Sequence, residues 1–318
     1  MTIQSAAKNS DRGSSNPSIL NYSTRELTGI LMIFGSAICF YLATFVIRIA
    51  KTETIITPEE FLFGRLLLGF AIVVTIMGVK KKKPLPKNWH FLFGRVVANL
   101  FAVLCFYTAV EKTGASTANV LNMTYPIFIA IISWFMIRDQ RDPMAIIISV
   151  VSFAGVWMIL SGNGFTIDIQ NLWGLMSGIW ASVAIIYLNL LRRDHDSDTI
   201  LFFVFGAGTF FTYTLFHGKI TMPDGNQFYY LFICSILGVA GQYLLTIGNK
   251  YVTALESGII SSTRILMAAV LGIFLPYDLP LSPLGWVGAF LIFGANIYLT
   301  IRKVKKPQGL CARVKNRD

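Results

Sequence analysis

The chain has 318 residues, of which 54% are hydrophobic and only 14% charged, and its formal net charge is +11. Roughly a quarter of the residues in an ordinary soluble domain are Asp, Glu, Lys or Arg, so this deficit excludes a water-soluble globular protein and points to lipid as the solvent. The basic excess does not form a nucleic-acid patch, because it is split into short clusters between apolar runs, such as VKKKKPLPK over 79–87, which is a membrane-topology signal.

Residues 1–26 are polar and rich in Ser and Asn, and read as a disordered cytoplasmic tail. No basic-then-apolar leader with a small-residue cleavage site precedes the first apolar run. A bilayer core needs about 20 mostly apolar residues per helix. Ten such runs follow in order, over 27–48, 60–79, 91–111, 117–137, 143–161, 172–191, 199–217, 228–249, 254–275 and 283–301. Their links are short and carry turn residues, as in KTETIITP and HGKITMPDGNQ, so neighbouring helices are expected to be antiparallel. The chain ends in a basic segment, 303–318.

Orientation follows from the bias of Lys and Arg toward cytoplasmic loops. With the N-terminus inside, 20 basic residues fall on the inner side and 4 on the outer, so both termini are expected in the cytoplasm. The four cysteines, Cys39, Cys105, Cys234 and Cys311, are far apart and form neither a CxxC pair nor a disulfide framework. No cofactor is expected.

The two halves align on each other when Lys112 is set on Lys250. CFYTAVEKTGASTANVLNMTYPIFIAIISWFMIRDQ then lies over YLLTIGNKYVTALESGIISSTRILMAAVLGIFLPYD without a gap. Few residues are identical, but the layout repeats: a helix closes at a lysine, a turn opens a small, polar segment, and an apolar helix follows. Five helices per half is an odd number, so the second repeat must be inverted relative to the first. The expected fold is an all-α integral membrane protein of two inverted five-helix repeats, 27–161 and 172–302. Such repeats place a substrate site near the bilayer midplane.

These features resemble the EamA-type members of the drug/metabolite transporter superfamily. The resemblance is carried by TPEEFLFGRLLLGFAIVV with Arg65, by FYTAVEKTGASTANVLNMTYPIFIAIISWFMI, by GNKYVTALESGIISSTRILMAAVLGIFL and by LGWVGAFLIFGANIYL, and it spans about 27–302. Two departures stand out. Family members often carry a glutamate after the fourth and ninth helices, where this chain has RDQRDP and PYDLPLSP, and Arg264 replaces the proline matched by Pro126 in the first repeat. The resemblance implies alternating-access transport of small metabolites such as amino acids, nucleotide-derived cofactors or sugars, in the cytoplasmic (inner) membrane. The partners expected are a small-molecule substrate and the lipid bilayer, with a homodimer as one arrangement, and no nucleic acid.

The main candidate residue is Arg264, inside SGIISSTRILMAAVLGIF. An arginine does not escape burial by losing its proton, and a charge at mid-membrane depth usually faces the bundle interior or a wet cavity. Ser257, Ser261 and Arg264 are spaced i, i+4, i+7 and are expected on one helical face. The matching face of the first repeat is Asn119, Met123 and Pro126, with Asn122 and Tyr125 beside it. Tyr41, Tyr107, Gln242 and Tyr243 are further polar residues at depth, alongside Asn99, Tyr187 and Asn296, and a residue of this kind is more often an interhelical hydrogen-bond partner than a ligand. Arg65 is expected in an ion pair with Glu59 or Glu60 near the outer mouth, Glu256 is the acid nearest Arg264 in sequence, and Pro126 is read as a kink. Together these three are gating candidates. Arg95, close to its helix start, is expected to snorkel to the headgroups.

No Asp, Glu or His stands at the centre of a span, which disfavours a proton relay or export of lipophilic cations through a buried carboxylate. A buried arginine without such an acid calls for an anion, so the substrate is expected to carry a carboxylate or phosphate. Two other classes fit the residues less well. An integral membrane enzyme would need clustered acids, histidines or a nucleophile–base pair at depth, and a non-transporting scaffold gives no reason for an inverted repeat.

Overall fold

The structure is a computed structural model that describes residues 24–136, 143–160, 169–192, 194–252, 254–271 and 282–305. The expected N-terminal tail lies almost wholly outside these residues, as do Cys311, RDQRDP, nearly all of PYDLPLSP and most of the basic C-terminal segment. Among the described residues the regular structure is entirely helical. The helices are α1 (Thr24–Glu53), α2 (Pro58–Val79), α3 (Trp89–Thr113), α4 (Ala115–Asn122), α5 (Tyr125–Met136), α6 (Pro143–Leu160), α7 (Leu172–Leu191), α8 (Ser197–Phe216), α9 (Gly225–Gly248), α10 (Ala254–Ser261), α11 (Thr263–Leu271) and α12 (Pro283–Lys305). A 3₁₀ turn, Ile169–Asn171, leads into α7.

Seven helical segments are long and apolar enough to cross a bilayer: α1, α2, α3, α4 running into α5, α7 with its leading turn, α8 and α9. The other three expected runs correspond to α6, α10–α11 and α12. Large apolar side chains such as Leu31, Phe93, Val150, Phe210 and Phe290 are exposed on the outer surface, as lipid contact requires and water would penalise.

Local chemistry sets the helix starts. Thr57 caps α2 in a reciprocal box with Glu60, with Pro58 in the first turn, and Asp224 and Gln227 form the same box at α9. Asp196 caps α8 by accepting from Thr199 N. Gly114, at φ 95°, joins α3 to α4, a backbone state that a side chain rarely adopts.

The halves are interleaved. α1 packs along α9 and α3 along α7, while α2 meets α8 and α6 meets α12. Each half thus lends its first helix to the third helix of the other. The α2–α8 pair runs antiparallel, because salt bridges join the start of each helix to the end of its partner. Glu59 meets Lys219 at 2.8 Å at one end, and Lys80–Asp198 and Lys82–Asp196 close the other, both at 2.8 Å. Midway, Phe205 lies over Gly69 and Phe70 over Gly206, where an added Cβ would stand 2.6 Å and 2.7 Å from the facing ring. Gly155 and Gly288 let α6 and α12 cross at backbone contact, for a Cβ on Gly155 would sit 2.7 Å from Gly288 O. Small residues at such crossings are how membrane helices gain van der Waals contact where lipid gives no hydrophobic drive.

The expected continuous spans 117–137 and 254–275 are each broken in two, at Met123–Thr124 and at Ser262. The breaks fall at equivalent places, since the offset that sets Lys112 on Lys250 also sets Thr124 on Ser262. Their hydrogen bonds match. Thr124 Oγ1 donates to Leu121 O and Ser262 Oγ to Ile259 O, both at 2.6 Å, and the next helix opens with Ile127 N to Thr124 O at 3.0 Å and Ile265 N to Ser262 O at 2.9 Å. A hydroxyl that back-bonds to a carbonyl in the preceding turn offers the chain an alternative to the helical ladder. Pro126 stands at the first break, where it lacks the N–H that would close on the Asn122 carbonyl. It is the second residue of α5, where a missing N–H costs nothing, and the second repeat breaks without any proline.

Candidate substrate cavity

The breaks lie beside a cavity of about 90 Å³ formed by helices of both halves. Its wall holds Arg65 of α2, Arg95 and Asn99 of α3, Tyr107 of α3, Asn122 and Tyr125 flanking the first break, Gln242 of α9, and Ser261 and Arg264 flanking the second. Phe40, Phe106 and small or aliphatic residues including Ala102, Ala181, Ala184 and Ile185 complete it. Three arginines thus share one cavity, at 4% exposure for Arg65, 1% for Arg95 and 5% for Arg264. Among the described residues none that lines the cavity is an acid.

The aromatic rings carry part of the positive charge. Phe40 lies 5.1 Å from the Arg65 guanidinium carbon and 5.7 Å from that of Arg264, which is also 5.5 Å from Phe106, within the range of a cation–π contact. Glycines of α9 make room for this group. A Cβ at Gly238 would stand 2.7 Å from Arg65 Cδ, and one at Gly241 2.8 Å from the Phe40 ring.

Arg65 donates to Tyr107 Oη and to Gln242 Oε1, each at 3.2 Å. The expected ion pair with Glu59 or Glu60 is not formed. Glu59 pairs with Lys219, and Glu60 closes the Thr57 cap and accepts from Thr221, because Arg65 lies farther along α2 on the face turned to α3 and α9. Arg264 donates to Asn122 Oδ1 and contacts Met123 Sδ, so the second break reaches across to the first. Its Nε is buried without a partner, as is Gln242 Nε2.

Arg95 corrects the expectation furthest. It does not snorkel, and it is among the largest fully buried side chains. No hydrogen bond or ion pair satisfies it among the described residues, and its Nε is sealed from solvent. The close packing of α3 on α7, with Gly94 under the Tyr187 ring, turns this face inward. The signal was in the sequence: Arg95, Asn99, Ala102 and Phe106 recur at i, i+4, i+7 and i+11, a polar and small stripe on one face of an apolar helix.

The remaining candidates lie around the cavity rather than on it. Ser257 is fully buried, with its hydroxyl accepting from Asn249 Nδ2 at 3.1 Å and its carbonyl from Tyr125 Oη at 3.4 Å. Asn119 donates to Thr44 Oγ1 and to Ala115 O. Tyr41 and Tyr243 are absent from the wall, and Tyr243 packs on Phe205. Glu256 sits half-buried in the first turn of α10, off the wall. Pro126 packs against Gly258. The carbonyls of Leu121 and Asn122 face α7, where a Cβ on Gly178 would come within 3.1 Å and 3.2 Å of them.

The salt-bridged end of α2–α8 near Lys80 holds further polar contacts. His195 Nε2 accepts from Lys87 N at 3.0 Å, and Asn88 Nδ2 donates to Asp194 Oδ2 at 2.6 Å. Burial acts to raise the Asp196 carboxyl, but hydrogen bonds from Lys82 and Thr199 outweigh it and hold the group at about 2. The opposite end is held by Lys219–Glu59, by Thr221 to Glu60 and by Tyr230 Oη to Glu53 at 2.5 Å.

A cavity between interleaved helical repeats, beside two discontinuous helices, defines a membrane transporter site. The EamA-like transporter family profile matches residues 27–161 and 169–301, and the chain belongs to that family. It is a multi-pass membrane transporter of the EamA, drug/metabolite type. An uncharacterized transporter of Helicobacter pylori is 26% identical over 260 residues, covering 78% of this chain and 87% of its own. The uncharacterized inner membrane transporter YicL of Salmonella typhimurium is 22% identical over 297 residues, covering 88% and 96%, and the pseudopaline exporter CntI of Pseudomonas aeruginosa is 19% identical over 222 residues, covering 69% and 77%. A protein of known crystal structure, 16% identical, has the same fold at a TM-score of 0.62, over 88% of this chain and 99% of that one.

Proposed function

We propose that this transporter is a secondary carrier of a small metabolite bearing a carboxylate or phosphate, an amino acid or a nucleotide-like compound, and that it works by alternating access. The observation that carries the reading is the meeting of Arg65, Arg95 and Arg264 in one cavity whose lining includes no acid. Buried charge without a counter-charge is costly in any protein, and an anionic substrate supplies that counter-charge through charge-assisted hydrogen bonds. Arg264 and Asn122, tied across the two breaks, are the contact through which binding at the cavity bears on both repeats.

Alternating access draws support from the two ends of the α2–α8 pair, which carry the same device in opposite orientation: acids in the first turn of one helix meet lysines after the end of the other. Opening one end while the other stays closed exposes the cavity to one side at a time. In this reading ten helices form two inverted repeats, the Lys80–Asp198 end and both termini face the cytoplasm by the basic-residue bias, and the membrane is the cytoplasmic one, in keeping with the Salmonella relative described as an inner membrane transporter.

The test is counterflow into proteoliposomes preloaded with amino acids or nucleotides, against neutral and cationic compounds. Arg264→Ala abolishes anion counterflow at unchanged protein abundance, and Arg264→Lys is also impaired because an ammonium lacks the guanidinium fork. Counterflow by Arg264→Ala equal to that of the native protein refutes the reading.

A further inference from the structure

The cavity has two positive poles. One is the pair Arg65 and Arg264, which share the Phe40 ring and are already engaged by Tyr107, Gln242 and Asn122. The other is Arg95 with Asn99 one turn farther along α3. Neither of these two side chains has a hydrogen-bond partner among the described residues, and Arg95 makes no ring contact there. The poles are separated along the α2–α3 hairpin. Arg65 stands 14 residues before the end of α2 and Arg95 six residues after the start of α3, so with those two ends level their backbones lie roughly 12 Å apart along the helix axes at 1.5 Å per residue, while the two guanidiniums stay close enough to repel each other. The same wall carries an apolar set that includes Ala102, Val103, Ala181 and Ala184.

We propose that the substrate carries two anionic groups on a short apolar skeleton, one group held by Arg264 and Arg65 beside the helix breaks and the other by Arg95 and Asn99 of α3. This rests on the anion-carrier reading and narrows it. A single carboxylate docked at the helix breaks leaves Arg95 buried without a partner, and one docked at Arg95 leaves the Arg65 and Arg264 guanidiniums without a counter-charge, since no acid lines the described wall. A leftover buried donor keeps its full desolvation cost, which is larger when the donor is charged. Two anionic groups satisfy both poles at once, and the alanines of the wall leave room for methylenes but offer no hydrogen bond. The small volume of the cavity, about 90 Å³, favours a short skeleton. Short dicarboxylates and carboxylates bearing a phosphate share this chemistry.

The experiment compares matched pairs on the purified full chain, by thermal shift and by counterflow: malonate, succinate, glutarate and phosphoglycolate, each against the analogue with one acidic group amidated or removed, with butyrate and inorganic phosphate as single-group probes. At least one dianion is expected to exceed its matched monoanion by tenfold or more in competition. Arg95→Gln is expected to erase that preference, bringing competition by the dianion down to that of its matched monoanion. The proposal is overturned if no dianion exceeds its partner, if butyrate or phosphate alone competes as well, or if Arg95→Gln keeps the preference. In each of those cases anion transport itself still stands. Transport of neutral or cationic compounds with none of any anion removes the carrier reading and this one together.

Discussion

Arg95→Gln tests the electrostatics of the cavity apart from transport. Arg95 is 1% exposed, has a sealed Nε without a partner, and shares its cavity with two other guanidiniums and no acid. A buried ion of this kind carries an effective desolvation penalty of several kcal/mol even after relaxation. Glutamine removes the charge and keeps a polar head, at the loss of about one methylene of packing, near 0.8 kcal/mol. The ligand-free protein is therefore expected to be more stable by about 1–3 kcal/mol, read as a rise in melting temperature in detergent and low salt without multivalent anions. Substrate should move the two proteins in opposite order. The native protein gains about 2.7 kcal/mol at a hundred times the dissociation constant, whereas the variant gains much less because one pole is gone. An Arg95→Gln protein that is less stable than native without ligand, and that keeps full transport, would refute the reasoning and make Arg95 a structural residue.

Gly178 tests the first helix break. An added Cβ meets Thr124 Oγ1 at 2.6 Å and two carbonyls beyond it, so Gly178→Ala is expected to cost about 1–3 kcal/mol by overpacking and to lower transport, while Ala at the open Gly78 changes neither in the same assays. Asp196 tests the α2–α8 end. Asp196→Ala loses the α8 cap, worth about 1 kcal/mol, but Asp196→Asn keeps it, and the loss of the exposed Lys82 bridge costs under about 1 kcal/mol. The Asp196 carboxyl lies at about 2, below the ~3.9 of an unfolded chain. Its stabilisation is therefore complete above about pH 4 and lost as the pH falls through 2, and acid unfolding of Asp196→Asn should lack that component.

Much of the architecture is legible in the residues. Apolar runs of bilayer length, the Lys112/Lys250 alignment and the absence of acids at mid-span all follow from sequence, because lipid imposes length and composition on any helix that crosses it. The alignment even sets Thr124 on Ser262, yet the residues alone do not mark both breaks, since a threonine or serine interrupts a helix only when its hydroxyl turns back to a carbonyl and neighbouring helices accept the bend. Pro126 marks the first break through its missing N–H, whereas the second has only the hydroxyl of Ser262.

The candidate site divides in the same way. Arg264, Asn122, Tyr125, Ser261, Tyr107 and Gln242 reach the cavity as residues singled out by depth and polarity, and Arg65, expected at the outer mouth, joins them, whereas Ser257, Asn119, Tyr41 and Tyr243 are off the wall. Depth alone does not tell which way a side chain points in an interleaved bundle. Arg95 shows the limit most clearly. By sequence it stands near a helix end, where a long stem normally reaches the headgroups, and only the packing of α3 on α7 closes that route. The sequence by itself determined that this is a two-repeat membrane transporter with a charge in its interior. Tertiary structure decided that there are three such charges in one cavity, because which helix faces are sealed depends on contacts between residues far apart in the chain.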